Sequence, residues 1–299
     1  MVRRKRFRLK LQSRTLLLGE RTLLMGVLNV TPDSFSDGGL YLDAQRAVDR
    51  ALEMERQGAD LIDIGGESTR PGSEAMPIEE ELRRVLPVLE GLRGSLKIPI
   101  SIDTRRAEVA EAALAAGAEI INDISGLKSD PRIAQAAARH KAPLILMHIR
   151  GEPKTMQKLP FAREVLTDVA SGLRTAAGKA IKAGVPRSRI ILDPGIGFGK
   201  SFVQNYGLLA RLPELAKLGF PLLVGTSRKT FLGATLARDG KHAPPEERIW
   251  GTAASVAASI LAGAHIVRVH DVTEMLQVAR VADCLLNPAL APPNRRPCA

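Results

Sequence analysis

Cysteine and tryptophan are scarce in this chain of 299 residues, which carries only Cys284, Cys298 and Trp250 of these two types. Two cysteines, one in a helical pattern and one near the C-terminus, do not make a disulfide framework or a thiolate metal centre. A reducing cytoplasm is the compartment that suits such a chain. Aromatic residues make up 3% of the total, so a carbohydrate-stacking surface is absent too. No apolar run approaches the roughly 18 residues of a membrane span, and even the stretch 253–264 is too short and too rich in alanine. After the first basic residues only Leu16, Leu17 and Leu18 precede Gly19 and Glu20. An export signal would need roughly 7–15 apolar residues there. Neither export nor a membrane partner is expected.

Acidic residues are also missing from the first fourteen positions, where Arg3, Arg4, Lys5, Arg6, Arg8, Lys10 and Arg14 stand. With Arg295 and Arg296 they account for nine of the eleven net positive charges, so the body between is close to neutral. A solvated flexible tail over 1–14, a polyanion-binding arm and the start of an export signal compete for this run, and the tail is the preferred reading. The proline-bearing stretch 289–299 is expected to be a second tail, leaving one catalytic domain over 15–288. No nucleic-acid partner is expected of a nearly neutral body.

What is present is alternation. Eight short apolar runs, at 23–30, 61–64, 98–102, 120–122, 144–147, 190–192, 221–224 and 266–269, alternate with amphipathic segments at 43–57, 79–93, 106–116, 131–139, 161–183, 204–217, 246–262 and 272–287. Such a pattern predicts a parallel sheet with helical crossovers. Gly58, Gly117, Gly184, Gly219 and Gly263 each stand between a helical pattern and the next strand, where a left-handed residue closes a helix. The count and length favour a closed (βα)8 barrel, the TIM barrel, over an open doubly wound sheet.

A barrel places its chemistry at the strand C-termini. Here the strands run out into Asn29, Asp63, Asp103, Asn122 with Asp123, His148, Asp193, the group Ser227, Arg228 and Lys229, and Arg268 with His270. Taken singly each could be a turn or cap residue; together they predict a polar floor. Arg70, Lys229, Arg268 and His270 suit a phosphate or diphosphate, and Arg268 and His270, two apart on one strand, should share a face. Asp103, Asn122 and Asp193 have no histidine or cysteine partners at ligand spacing, which argues against a transition metal. A carboxylate can take two parallel N–H bonds from a 2-aminopyrimidinone edge; a glycosidase-like acid and base is the alternative. The loops 29–39 and 65–72 are long and rich in turn formers, as lids over the mouth would be. The glycines of 193–200 suggest a phosphate loop only superficially, since neither dinucleotide nor Walker spacing is met.

MGVLNVTPDSFSDGG at 25–39, GGESTRPG at 65–72, SIDT at 101–104, INDI at 121–124, LMH at 146–148, DPGIGFGK at 193–200, SRK at 227–229 and RVHD at 268–271 appear in order over nearly the whole chain. Together they resemble the dihydropteroate synthase family. The resemblance implies condensation of a 6-hydroxymethyl-7,8-dihydropterin diphosphate with p-aminobenzoate in folate biosynthesis, through an SN1-like ionisation. It also implies Mg²⁺ as cofactor, a homodimer, and inhibition by sulfonamides.

Residue by residue, the resemblance assigns Asp103, Asn122, Asp193 and Lys229 to the pterin, and Asn29, Arg70, Arg268 and His270 to the diphosphate, with Asn29 also at the metal. Phe35, Thr69, Pro71, Phe198, Lys229 and Thr230 fall to p-aminobenzoate. Catalysis would rest on Asp103, Arg70, Lys229, Arg268 and His270, and Arg268→Ala would harm diphosphate release far more than binding of a bare pterin. Thr230 stands where the family often has serine, and Ile196 where a bulkier aromatic is common. A pterin-dependent methyltransferase shares the barrel and floor but has no diphosphate to hold. A polyanion-binding module driven by the N-terminal arginines gives no reason for the polar strand ends.

Overall fold

The computed structural model describes residues 4–31, 39–68, 73, 76–152, 154–156 and 161–293. Two short strands, β1 (Phe7–Lys10) and β2 (Thr15–Leu18), pair as an antiparallel hairpin. Eight parallel strands follow: β3 (Leu23–Asn29), β4 (Leu61–Gly65), β5 (Ile100–Asp103), β6 (Ile120–Asp123), β7 (Leu144–Met147), β8 (Ile190–Asp193), β9 (Leu223–Val224) and β10 (Ile266–Val269). Their hydrogen-bonded order runs from β8 down to β3 and then through β10 to β9. A parallel bridge between Leu192 and Leu222, with the Leu192 amide donating to the Pro221 carbonyl at 3.0 Å, joins the two ends. The strands thus close into the barrel that the alternation predicted.

Helices α1 (Gly39–Arg56), α2 (Ile78–Leu92), α3 (Ala107–Ala116), α4 (Arg132–Arg139) and α5 (Val165–Lys182) make the first five crossovers. The segment expected as one helix over 204–217 breaks at Arg211 into α6 (Phe202–Ala210) and α7 (Leu212–Ala216). A short α8 (Thr230–Thr235), unforeseen in the sequence, precedes α9 (Ile249–Leu261) and α10 (Val272–Leu286). Gly117, at φ 118°, ends α3 in the left-handed region, as its place before β6 required.

Period-two alternation sorts the strand residues into two cores. Leu24, Ile62, Ile102, Ile121, Leu144, Leu192 and Val267 face outward into the layer shared with the helices. Met25, Leu61, Ile120, Ile145, Ile191, Leu223 and Ile266 face inward and fill the lower barrel together with Leu9, Leu11 and Leu18 of the hairpin. Two residues further along the same inner face stand Asp63, Asn122, Met147, Asp193 and Arg268. Asp103, two beyond the buried Ser101, completes that level. One step of the pleat converts an apolar plug into a polar floor.

The expected flexible tail over 1–14 is corrected for residues 4–14. Leu9 and Leu11 are buried at 1% and 3% exposure, while Arg8 and Lys10, which alternate with them, point to solvent. The alternation of an amphipathic strand was present beneath the charge. Arg4 pairs with Asp283 at 2.5 Å, both side chains nearly buried, and Asp283 also accepts from the amide and hydroxyl of Thr22. His265 receives the Leu222 amide on Nδ1 and meets the Lys5 carbonyl through Nε2 at 2.9 Å, which fixes the neutral tautomer with its proton on Nε2. Burial pushes its pKa down to about 4. The hairpin is part of the catalytic domain, and the segment is no free polyanion arm. Leu9→Ala should cost about 2–5 kcal/mol through the cavity left under the barrel, read as a lower urea midpoint with the floor intact by pterin calorimetry.

Candidate active site

Four of the inward polar side chains at the upper level, Asp63, Asp103, Asn122 and Arg268, form one hydrogen-bonded buried cluster. Arg268 donates from Nε to Asp63 Oδ2 at 2.6 Å and from Nη2 to Asp103 Oδ2 at 2.9 Å, bridging strands β4, β5 and β10. Asn122 donates from Nδ2 to the same Asp63 oxygen at 2.9 Å, which leaves its side-chain carbonyl to accept. Asp63 is wholly buried, and its Oδ1 has no partner among the described residues. An unmade bond of that kind costs about 1–3 kcal/mol.

The sequence marks Asp63 only as a strand end, yet it is the hub of this cluster. Its place two residues above Leu61 on the inner face was the signal that could have found it.

Asp193 ends β8 with Oδ1 accepting the Gly195 amide at 2.7 Å. Burial raises its pKa to about 6, with that bond and Lys229 working in the opposite direction. Asp103 is pushed up by burial and then by the Asp63 carboxylate, against which Arg268 acts. Lys229 is lowered to about 8 by burial and by Arg268, and its Nζ lies 4.0 Å from the centre of the Phe198 ring. Thus Asp103, Asn122, Asp193, Lys229, Phe198 and Arg268 gather at one mouth. Ile124, Met147, Ile149 and Met156, packed with Phe198, add an apolar wall beside the charged floor.

His270 lies two residues beyond Arg268, and both are partly exposed while Val269 between them is buried. The Ser227 hydroxyl oxygen accepts the His270 amide at 3.2 Å and meets Nδ1 at 3.0 Å. Burial, followed by Arg268 and Arg228, lowers the imidazole to about 3, so it is neutral near pH 7. Arg228 sits at φ 58° and is held by Asp271, by Thr252 and by Arg248 on its carbonyl, which sets the turn presenting Lys229. Thr230 opens α8 and is exposed. Ile196 is buried in the helix-side core, away from solvent. Asn29, half-buried, ends β3 beside Gly65.

Two strand ends leave the proposed floor. Asp123 faces outward, where it takes the Ser125 amide and hydroxyl and the Leu127 amide and so builds the turn after β6. His148 faces α5, 3.6 Å from Asp168 and against Gly172. Both are the residues adjacent to an inward side chain, so the pleat turns them away. Phe35, Thr69, Arg70 and Pro71, with the tips of both long loops, lie outside the described residues.

No three His, Cys, Asp or Glu side chains gather as a metal site among the described residues. Mg²⁺ keeps several waters and takes most other ligands from substrate phosphates. The single side-chain carbonyl of Asn29 at the mouth is a donor of the hard, neutral kind that such an ion accepts, so the residues present fit it.

The family model for pterin binding enzymes matches residues 25–270. A dihydropteroate synthase from Synechocystis sp. is 52% identical over 89% of this chain and 91% of its own length. The solved structure of the Xanthomonas albilineans dihydropteroate synthase with 4-aminobenzoic acid is 42% identical, covers 97% of this chain and 100% of that one, and superposes with a TM-score of 0.86. The Burkholderia cenocepacia dihydropteroate synthase complexed with 7,8-dihydropteroate is also 42% identical, at a TM-score of 0.83 over 95% of this chain and 98% of that one. With the barrel, the floor and these likenesses in agreement, the chain belongs to the dihydropteroate synthase family of pterin binding enzymes.

Proposed function

We propose that the chain condenses 6-hydroxymethyl-7,8-dihydropterin diphosphate with p-aminobenzoate to give 7,8-dihydropteroate and diphosphate, the folate-forming reaction of its family. The observation that carries this reading is the buried cluster of Asp63, Asp103, Asn122 and Arg268 one pleat above the apolar plug. A donor-rich ring edge suits the acceptors there. Asp193, charged at neutral pH, takes the amino group and adjacent ring N–H of the pterin as a bidentate partner. The carbonyl of Asn122 accepts from the ring, and Lys229 donates to the opposite side.

Ionisation of the C–O bond leaves a delocalised pterin methylene cation and a departing diphosphate, and charge separation is the barrier. Asp103 stabilises the cation. The Nη1 edge of Arg268, which has no partner among the described residues, and the Nε2 edge of His270 are assigned to the anion, the imidazole donating there in the tautomer whose Nδ1 accepts from Ser227 Oγ. Arg70 is assigned to the same anion on resemblance. Mg²⁺, when bound through Asn29 and the diphosphate, supplies further charge neutralisation. The arylamine then attacks the methylene carbon and loses its proton to solvent, and no enzyme nucleophile is required. Phe198 and Lys229 wall the arylamine subsite, with Thr230 at its rim and Phe35, Thr69 and Pro71 assigned from the loops. Sulfonamides, which mimic p-aminobenzoate, compete for that subsite.

The test combines purified protein, Mg²⁺, the pterin diphosphate and p-aminobenzoate, with dihydropteroate and diphosphate as the products measured. Absence of both defeats the reading. No observation favours a methyltransferase, for which His270, held by Ser227 at the mouth, would have no anion to meet.

Exposed apolar side chains support a homodimer. Trp250 on α9 is 79% exposed, and Val281 and Leu285 on the neighbouring α10 are 63% and 52% exposed. A homodimer formed through these two barrel helices, as the resemblance implies, would cover them. Trp250→Glu combined with Val281→Asp should convert dimer to monomer in light scattering, without loss of helical circular dichroism. No helix of the described residues is long and apolar enough to cross a membrane. Cys284 is a free thiol, in keeping with the reducing cytoplasm proposed for the chain.

A further inference from the structure

The lysine of the 193–200 segment does not face the mouth. Lys200 is 2% exposed, and its Nζ donates to the carbonyls of Gly195 at 2.8 Å, Phe198 at 2.9 Å and His148 at 3.2 Å. An ammonium has three hydrogens, and all three meet a carbonyl oxygen. Burial works against the charge and lowers the pKa to about 7, with Asp193 and Asp168 opposing the shift. The three carbonyls are acceptors only, so they favour the charged form.

Ile196, buried in the helix-side core, and Asn205, whose Oδ1 accepts the Gly197 amide at 2.7 Å, hold the middle of the loop, while the lysine ties its Gly195 and Phe198 carbonyls to that of His148. Gly195 and Gly199, both at φ 66°, lie directly on the backbone at the end of β7. A Cβ at Gly195 would come within 1.9 Å of the His148 carbonyl oxygen, and one at Gly199 within 2.4 Å of the Arg150 carbonyl oxygen. At these two positions no side chain fits between the loop and the chain beyond β7, so packing at the glycines themselves cannot fix the separation. Backbone bonds from a buried lysine can.

What the loop carries makes the anchor functional. The Gly195 amide orients Asp193 Oδ1 at 2.7 Å, and the Gly195 carbonyl is one of the three that Lys200 holds. Phe198, whose carbonyl is another, lies under Lys229. We propose that Lys200 is a positioning residue for both substrates, setting the Asp193 carboxylate for the pterin and the Phe198 ring for the arylamine through the backbone of the loop between them. The inference rests on the reaction proposed above. It also explains why the segment has glycines and a lysine in a phosphate-loop manner with no phosphate to bind: the cation is turned inward, onto the protein's own carbonyls.

The experiment compares wild type with Lys200→Met and Lys200→Gln, measuring kcat, KM for each substrate, and pterin affinity by calorimetry. Loss of charge-assisted hydrogen bonds should raise KM for p-aminobenzoate and weaken pterin binding, each about tenfold or more in Lys200→Met. Lys200→Gln, which keeps two N–H donors, should recover part of both. If Lys200→Met does not fold, as judged by circular dichroism, Lys200→Gln carries the test against wild type. A folded variant with both KM values and pterin affinity within about twofold of wild type overturns the proposal, as does a fall in kcat alone. Wild type that binds pterin but forms no dihydropteroate would defeat the reaction instead, and pterin affinity would still judge the lysine.

Discussion

Arg268→Ala is expected to lower kcat by about 10²–10³, to weaken binding of a bare pterin, and to destabilise the fold by about 3–5 kcal/mol. The three losses arise from one guanidinium. Nε and Nη2 neutralise Asp63 and Asp103, which are 0% and 8% exposed, and their removal leaves two carboxylates facing each other in a dry site. The remaining edge is the one assigned to the departing diphosphate. The sequence alone predicts a far larger loss of diphosphate release than of bare-pterin binding; the two bonds to Asp63 and Asp103 add a loss of pterin binding to it. Steady-state kinetics, calorimetry and urea denaturation read the three effects separately. Adding Asp63→Asn to the variant should restore part of the stability while activity stays low. Unchanged pterin affinity in Arg268→Ala would sink the joint role.

Asp193→Asn should act in opposite directions on stability and on function. The folded pKa of Asp193 is about 6, against 3.8 for a solvated aspartate, chiefly through burial. An acid whose pKa rises on folding binds its proton more tightly in the folded chain. Its favourable contribution is complete below about pH 4 and is lost as the pH climbs through about 6. Near pH 7.5 the carboxylate is charged, dry and destabilising. Asn keeps an oxygen for the Gly195 amide and carries no charge, so the variant should denature at higher urea than wild type at pH 7.5. The difference should shrink towards pH 4. Pterin affinity should fall by about a hundredfold or more, because two hydrogen bonds to a carboxylate become one to a neutral amide. In wild type, the same affinity should decline as the pH drops through about 6; in the variant it should be flat across that range. A wild-type affinity that holds steady down to pH 5 would remove Asp193 from the pterin site.

The barrel was legible because a period of two is a strong signal. Leu61, Ile120, Ile145, Ile191 and Ile266 form the plug, and the residues two places on form the floor, so both levels are written along the same strands. The same rule, applied strictly, would have separated Asn122 from Asp123 and Met147 from His148. It would also have given Asp63 a role. The hairpin was missed because the arginines and lysines of 4–14 dominate any count of charge. Leu9 and Leu11 become informative only once there is an open barrel end for them to fill. The inward turn of Lys200 depends on its rotamer and the double engagement of Arg268 on partners many residues away, neither of which local pattern encodes. Helix α8 is only six residues long and has no period to detect.

The hairpin also has a consequence for the order in which the chain matures. Arg4 and Lys5, just ahead of its first strand, bond to Ala264, His265 and Asp283, some 260 to 279 residues downstream. A ribosome therefore delivers the first two strands long before their partners exist. Through most of synthesis Leu9, Leu11 and Leu18 have no barrel end to enter, and the nascent chain shows water an apolar ribbon edged with positive charge. Residues 4–18 thus have native contacts that are completed only after Ala264, His265 and Asp283 have been synthesised.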